Sequence, residues 1–122
     1  ELVQVNFDAE EIPLELESID LGFTGFMLHE VASPTDFVSH VYRHIRKNGF
    51  FVVYDFISGN EEAFVKVITS HGMSEEHARK RYPHMCKHSA NDIVKLLSTA
   101  GFEDCRMIVM DEMRVVVVGL KR

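Results

Sequence analysis

The sequence predicts an α/β fold with a parallel sheet at its centre, and two short apolar runs are the main evidence. Residues 19–26 and 50–56 are nearly unbroken apolar segments, rich in aromatic and β-branched side chains, as is typical of strands covered on both faces. A helical stretch lies between them, so the unit reads strand, crossover helix, strand. Such a unit predicts two parallel strands with a right-handed connection. Because ligands bind beyond the carboxyl ends of parallel strands, we expect functional residues at positions 24–30 and 54–58.

Length and composition restrict the class of protein. The chain of 122 residues carries a net charge of −6 and forms one domain at most. An acidic chain is a poor partner for a phosphate backbone, so nucleic acid is not an expected partner. No apolar run approaches the roughly 20 residues of a membrane span, so no membrane is expected either. Cys86 and Cys105 form no motif, which favours reduced thiols in a cytoplasmic protein.

The first elements follow from alternation and from helix-start signals. Residues 2–7 alternate as in a short strand. Ser33 is a good N-cap and Pro34 suits the first position of the crossover helix. Asn48-Gly49 is expected to end this helix and to turn the chain into the strand at 50–56. The buried face of the helix is predicted to comprise Phe37, Val38, Val41, Tyr42 and Ile45.

Two more helices are predicted after the second central strand. Residues 61–70 have apolar side chains at helical spacing. Ser74 caps a short charged helix at residues 75–81, and Pro83 is expected to end it because proline lacks the N–H that a helix needs.

A last helix and a hairpin close the chain. Ser89 and Asp92 have the spacing of a capping box at a helix start. Strand signals follow at residues 102–110 and 113–120. Because only residues 111–112 separate them, these two strands are expected to pair antiparallel.

Polar residues at strand ends are the candidate functional groups. His29 with Glu30 ends the first central run, where His29 is a polar wall of a pocket, a general base, or a histidine packed at a strand-to-helix junction. Asp55 ends the second run, where it either touches a substrate or caps the following loop. Asp8 follows the strand at residues 2–7, either as an acceptor for a ligand amine beside the Ala9 N–H or as a solvated turn residue.

Histidines and cysteines outside these strand ends do not predict a metal site. His40 and His44 lie four apart on a helix, but the apolar face runs elsewhere and both are expected to face water. His84, Cys86 and His88 cluster without a fourth ligand at motif spacing. The sequence also has no Gly-x-Gly phosphate cradle and no nucleophile elbow.

The order of several segments resembles that of class I S-adenosylmethionine-dependent methyltransferases. The segments are Phe-Asp-Ala-Glu-Glu-Ile-Pro-Leu, Ser-Ile-Asp-Leu and Phe-Met-Leu-His-Glu-Val, then Pro34, Asn48-Gly49 and Ala100-Gly101-Phe102. The match spans essentially the whole chain, and the order and spacing of the segments carry it rather than any single motif.

This resemblance implies the carboxyl-terminal half of a Rossmann-like sheet. The family's seven strands lie in the order 3-2-1-4-5-7-6, with the seventh antiparallel. Residues 2–7, 19–26 and 50–56 match strands 3, 4 and 5, and the terminal hairpin matches strands 6 and 7. Residues 1–122 are therefore expected to form a partial, carboxyl-terminal methyltransferase domain.

The resemblance also implies S-adenosylmethionine as cofactor. In the family, the residue matching Asp8 binds the adenine amino group, and the backbone matching Ala9 meets the ring. The residues matching Thr24, Gly25 and Phe26 approach the methionine moiety.

By the same resemblance, His29 matches a position near the methyl acceptor. It is therefore the candidate catalytic base for methyl transfer to a small-molecule acceptor.

The sequence lacks features that the family carries in the first half of its fold. The glycine-rich loop after strand 1 and the acidic residue ending strand 2 have no counterpart in the sequence. Without those strands, residues 19–26 are expected to form an exposed apolar edge, and the chain alone is expected to bind the cofactor poorly. Two hypotheses follow. The chain is completed by a missing amino-terminal half into an enzyme, or it is a non-catalytic interaction domain that forms a homodimer through this edge.

Overall fold

The computed structural model describes residues 12–122 as alternating strands and helices. The elements in these residues are β1 (Ile19–Gly25), α1 (Pro34–His44), β2 (Ile45–Phe56), α2 (Glu61–Ser70), α3 (Glu75–Met85), α4 (Ala90–Ala100), β3 (Glu103–Val109) and β4 (Arg114–Leu120). The strand predicted at residues 2–7 lies outside the described residues. Within residues 12–122, no helix has the length and apolar character needed to cross a membrane.

The four strands form one mixed sheet in the order β1-β2-β4-β3. β1 and β2 are parallel, whereas β4 is antiparallel to both of its neighbours, β2 and β3. This arrangement is the 4-5-7-6 part of the expected sheet, so the predicted fold class is confirmed for the described strands.

Helix α1 ends earlier than predicted. Its first turn is capped as expected, since the Ser33 hydroxyl accepts a hydrogen bond from the Asp36 N–H. The expectation that the helix reaches Asn48-Gly49 is wrong, because Ile45 is already extended and pairs with Ile19 of β1. The register then shifts before the pairing resumes, and Asn48 supplies the left-handed backbone of this bulge with φ of 66°.

Pro83 does not end helix α3, which continues to Met85. Proline removes one helical hydrogen bond, but the next turn closes normally because the Cys86 N–H donates to the Tyr82 carbonyl at 2.8 Å. Pro83 is exposed, so its ring does not have to fit into a packed core. The prediction of a helix ending at Arg81 is therefore wrong.

Helices α1 and α4 cover one face of the sheet. α1 and α4 pack on the face that carries the main core, with members such as Phe51, Val53 and Leu97. α2 and α3 pack against each other in a second apolar cluster around Phe64. On the opposite face of β1, Leu21 is 60% exposed, and within residues 12–122 β1 pairs only with β2, so its other edge has no described partner strand.

Gly101 ends α4 in a conformation that other residues avoid, and this gives a stability prediction. Its φ is 122°, and a Cβ there would lie 2.7 Å from the Tyr42 ring, whereas Gly72 has φ of 100° and open space around it. We expect Gly72→Ala to lower the free energy of unfolding by about 1–2 kcal/mol through strain alone. Gly101→Ala should cost at least about 1 kcal/mol more, because Tyr42 must also move. Urea denaturation measures both values, and equal losses would contradict the contact.

Candidate active site

The carboxyl ends of β1 and β2 lie side by side. Gly25 pairs with Tyr54, and the Phe26 N–H donates to the Tyr54 carbonyl at 2.8 Å. Phe26 then adopts φ of 56°, a left-handed conformation that costs a bulky residue about 1–2 kcal/mol. Backbone strain of this kind is retained mainly where a site depends on it. The resulting turn brings the chain back across the end of β2.

This turn places His29 against Asp55. The two side chains are 3% and 1% exposed, and the His29 Nδ1 lies 2.8 Å from the Asp55 Oδ1. The same carboxylate accepts hydrogen bonds from the His29 N–H at 3.2 Å and from the Phe56 N–H at 2.8 Å. An ionised carboxylate can only accept, so Nδ1 carries a proton and Nε2 is the ring nitrogen left for chemistry.

A second carboxylate lies on the other side of the imidazole. The Glu30 Oε1 is 3.1 Å from the His29 Nε2, and the Glu30 Oε2 is 3.7 Å from the His84 Nε2 of α3. Both Glu30 and His84 are about half exposed. The Lys87 Nζ also donates to the His29 carbonyl at 3.1 Å, so the segment that follows α3 is attached to the site. The Glu30 side chain that contacts Nε2 is therefore itself in contact with solvent.

The surroundings make His29 more basic than an ordinary histidine. The hydrogen bond that His29 donates to Asp55 is the largest cause and raises the pKa of His29 above 6.5, while burial acts in the opposite direction. The negative charges of Asp55 and Glu30 raise the pKa further. The pair is thus arranged to hold a proton on the imidazole.

This raised pKa predicts a pH-dependent stability. Because the folded pKa lies above the unfolded value, His29 contributes stability that is fully present below pH 6.5 and is lost as pH rises through the folded pKa. We expect the free energy of unfolding of the native chain to fall, relative to His29→Gln, across that window. Urea denaturation of both proteins from about pH 5.5 to about pH 9 measures the difference. Parallel pH curves for the two proteins would contradict it.

Three aromatic rings flank the histidine pair. The ring centroids of Phe26 lie 4.6 Å from those of both Tyr54 and Phe56, and Phe56 is 6.2 Å from the His29 ring. Phe26 is 37% exposed. These rings form an apolar wall beside the His29 ring, which favours binding of an organic molecule.

The Thr24 side chain tests whether the residues at this site fit the implied cofactor. It is only 6% exposed, and its hydroxyl has no hydrogen-bond partner in the part of the chain that the structure describes. The side chain lines a cavity of about 370 Å³ together with Gly25. A buried hydroxyl without a partner is rare and indicates an absent hydrogen-bonding group. The residues present therefore fit a bound polar molecule, while Asp8 and Ala9 lie outside the described residues.

The remaining histidines do not form a metal centre. His44 is 6% exposed, and its Nδ1 lies 2.8 Å from the His40 carbonyl. The expectation that His44 faces water is wrong, because α1 ends there and the ring turns back onto its own last turn. Among residues 12–122, no group of three or more histidine, cysteine or acidic side chains could hold a metal ion.

Cys86 lies behind the site but is not a nucleophile. It is 3% exposed, and burial, together with the charge of Asp55, raises the pKa of its thiol to about 12. A thiol with this pKa stays protonated at neutral pH and packs as a small apolar side chain.

Sequence reasoning left the partner of His29 unassigned. Asp55 was a strand-end residue with two open interpretations, and the structure places it in contact with His29. The available signal was that both residues follow adjacent parallel strands, whose carboxyl ends meet at one edge of a sheet. The approach of His84 had no sequence signal, because it depends on the extension of α3 past Pro83.

Comparisons with known proteins agree with this geometry. A family model described as a methyltransferase domain matches residues 1–53. No curated protein matches the sequence significantly.

Solved structures share the fold over nearly the whole chain. The structure of PigF with SAH is 19% identical in sequence to this chain and matches it with a TM-score of 0.66. The match covers 96% of this chain and 34% of the PigF chain. A SAM-dependent methyltransferase from Aquifex aeolicus is 18% identical with a TM-score of 0.67, with coverages of 98% and 53%. Human N-acetylserotonin methyltransferase in complex with SAM is 14% identical with a TM-score of 0.65, with coverages of 98% and 33%. The chain thus spans about a third to a half of these structures.

The family model covers the first central strand, and the described residues share their fold with part of these solved methyltransferases. The chain is thus similar to methyltransferases by sequence over residues 1–53 and by fold over most of its length.

Proposed function

We propose that this chain is the carboxyl-terminal part of an enzyme that transfers a methyl group from S-adenosylmethionine to a small-molecule acceptor, with His29 as the general base. The observation that carries the proposal is the buried His29–Asp55 pair at the carboxyl ends of two adjacent parallel strands. A charged pair is costly to bury, and its position at this edge favours a catalytic role over a structural one.

The chemistry follows from the two nitrogens of the imidazole. Asp55 holds the proton on Nδ1. When Glu30 moves aside, one cause of the raised His29 pKa is lost, and Nε2 of the neutral imidazole can then accept the proton of the acceptor's nucleophilic atom. The imidazolium that forms is stabilised by the Asp55 charge. The cofactor, when bound, supplies an electrophilic methyl group.

Thr24, Gly25 and Phe26 are the residues that we propose to approach the methionine part of the cofactor. The unpartnered hydroxyl of Thr24 and the strained backbone of Phe26 support this assignment. Asp8 and Ala9 are proposed for the adenine on the family resemblance alone. The remaining contacts belong to polypeptide that completes the sheet, so the longer protein is the form to test.

Thr24→Val tests the cofactor site with an isosteric change. Removal of a buried hydroxyl that lacks a partner should raise the free energy of unfolding by about 1 kcal/mol. The same change should weaken binding of S-adenosylhomocysteine by about tenfold in the longer protein, because a hydrogen bond is lost. Calorimetric titration and urea denaturation measure the two effects. Unchanged affinity, or no binding by the native protein, would count against the proposed site.

A second candidate function is a non-catalytic domain that dimerises through the open edge of β1. The observation that favours it is the exposure of Leu21 and Phe23, at 60% and 67%, on a strand that pairs only with β2 among the described residues. Multi-angle light scattering of the 122-residue chain tests it. A folded monomer at all accessible concentrations would remove this candidate.

A cytoplasmic location is part of the proposal. It is supported by the two cysteines, Cys86 and Cys105, which are both free thiols. The acidic net charge of −6 also supports a small molecule, rather than nucleic acid or an anionic membrane surface, as the partner.

A further inference from the structure

The Nε2 atom of His29 faces a carboxylate, and this contact determines its protonation. The Glu30 Oε1 lies 3.1 Å from Nε2, and the Asp55 Oδ1 lies 2.8 Å from Nδ1. An ionised carboxylate only accepts hydrogen bonds, so each contact needs a proton on the ring nitrogen. With Glu30 in this position His29 is therefore an imidazolium, which has no free lone pair to act as a base.

The proton on Nε2 has almost no direct contact with water, because the His29 side chain is only 3% exposed. Methyl transfer from a sulfonium to an O–H or N–H group releases a proton in every turnover, and the proposed base holds that proton afterwards. A buried base that works repeatedly therefore needs a neighbouring group that takes the proton to the surface.

Glu30 extends from the buried ring to the surface. It is 51% exposed, and its Oε2 lies 3.7 Å from the Nε2 of His84 in α3, which is 54% exposed. The two imidazole rings are 6.3 Å apart and stand edge to face at 84°. The Glu30 N–H donates to the Met27 carbonyl at 2.9 Å, so the backbone is held in a turn while the half-exposed side chain can rotate between the two histidines. An exposed histidine exchanges protons with water near neutral pH.

Other titratable and charged groups packed around His29 do not replace Glu30 at Nε2. Asp55 of β2 bonds the opposite ring nitrogen, and the Lys87 Nζ bonds the His29 carbonyl rather than the ring. The Cys86 thiol stays protonated, since burial and the Asp55 charge raise its pKa to about 12. Among residues 12–122, Glu30 is thus the acidic side chain placed on Nε2.

We propose that Glu30 is a proton relay that acts through His29 and carries the Nε2 proton to His84 at the protein surface. The Nε2–H bond of His29 breaks, and an O–H bond forms on the Glu30 carboxylate. Rotation of the Glu30 side chain brings this O–H to the His84 Nε2, which takes the proton, and the exposed His84 ring releases a proton to water. His29 is left neutral with a free lone pair on Nε2. The proposal rests on the proposed role of His29 as the base of methyl transfer, and it assigns to Glu30 and His84 the step that frees this base.

Exchange of the His29 Nε2 proton with water tests the relay without cofactor or acceptor. The full 122-residue chain is prepared with isotopically labelled histidine, and the exchange rate is measured by NMR at about pH 6, where the raised pKa of His29 keeps the ring protonated. Glu30→Gln should slow the exchange at least about tenfold, because glutamine still accepts the hydrogen bond of Nε2 but cannot take its proton. The pKa of His29 should also fall in this variant, since the Glu30 charge is one of the causes that raise it.

His84→Gln should slow the exchange by a smaller factor, about two- to fivefold, because the half-exposed Glu30 can still pass the proton directly to water. The matched controls are Glu76→Gln and His77→Gln, which change an exposed glutamate and an exposed histidine near the start of α3. Both controls should leave the exchange rate unchanged.

Acetate provides a chemical rescue of the relay. Glu30→Ala leaves space beside Nε2 for a small carboxylate, so added acetate should accelerate the exchange in proportion to its concentration. The native chain should not respond, because its own carboxylate already occupies that place. Acetate that has the same effect on both proteins would contradict the proposal.

A native exchange rate in Glu30→Gln overturns the relay, because glutamine would replace a side chain that merely covers Nε2 without effect. An unchanged rate in His84→Gln overturns the step through His84. Unchanged backbone amide spectra outside the site show that each variant is folded. The measurement is separate from methyl transfer, so a relay that fails leaves the role of His29 as base to its own kinetic test, and failure of that test leaves the exchange result unchanged.

Discussion

His29→Gln is expected to lower kcat for methyl transfer by about 10²–10⁴-fold in the longer protein that carries this chain. Glutamine keeps a polar side chain beside Asp55 but cannot accept a proton from the methyl acceptor. Since His29 acts on the acceptor, binding of S-adenosylhomocysteine should be unchanged. Steady-state kinetics with the acceptor, together with calorimetric titration, separate the two effects.

The matched control is His77→Gln, an exposed histidine near the start of α3 that is far along the chain from the strand ends. It should leave kcat unchanged. If His29→Gln retains most of the native kcat, proximity to the cofactor rather than proton transfer drives the reaction. His29 would then be a structural residue.

Asp55→Ala is expected to lower the free energy of unfolding by about 3–5 kcal/mol. Asp55 is 1% exposed and accepts hydrogen bonds from the His29 ring, the His29 N–H and the Phe56 N–H. Truncation leaves these three donors buried without partners, and each unpaired buried group is costly. The loss should be visible by urea denaturation at neutral pH.

Asp36→Ala is the control for the loss of one acidic residue. Asp36 is exposed in the first turn of α1, so its removal should cost about 0.3–1 kcal/mol through the helix dipole. Asp55→Ala should also lower the pKa of His29, since the largest cause of its rise is removed. If the two substitutions lower the free energy of unfolding by amounts within about 1 kcal/mol of each other, water replaces the Asp55 carboxylate without penalty and the prediction is wrong.

Much of the fold could be predicted because local signals agree with it. Ser33, Asn60 and Ser89 cap the helices that start after them, and the runs at residues 19–26 and 50–56 form the parallel pair. The errors come from tertiary contacts that override local signals. Ile45 leaves the helix early because it pairs with β1, and Pro83 stays in α3 because the following turn closes without it.

The sequence predicts which site residues lie at the ends of the strands, but not which of their side chains contact each other. The sequence placed Thr24, Phe26 and His29 at the carboxyl edge, where the structure also has them. It could not show that Asp55 bonds His29, because a strand-end aspartate is equally common as a turn cap. The Thr24 hydroxyl shows no signal in the sequence at all. Its lack of a partner is a property of the packed fold.

The most direct test of the account is an amide chemical-shift titration of the isotopically labelled longer protein with S-adenosylhomocysteine. We expect the largest shifts within this chain at Thr24, Gly25 and Phe26, with smaller ones at His29 and Asp55. That result would establish the ends of β1 and β2 as the edge where the cofactor binds. Saturable binding with shifts confined to other elements, such as α4 or β3, would contradict it.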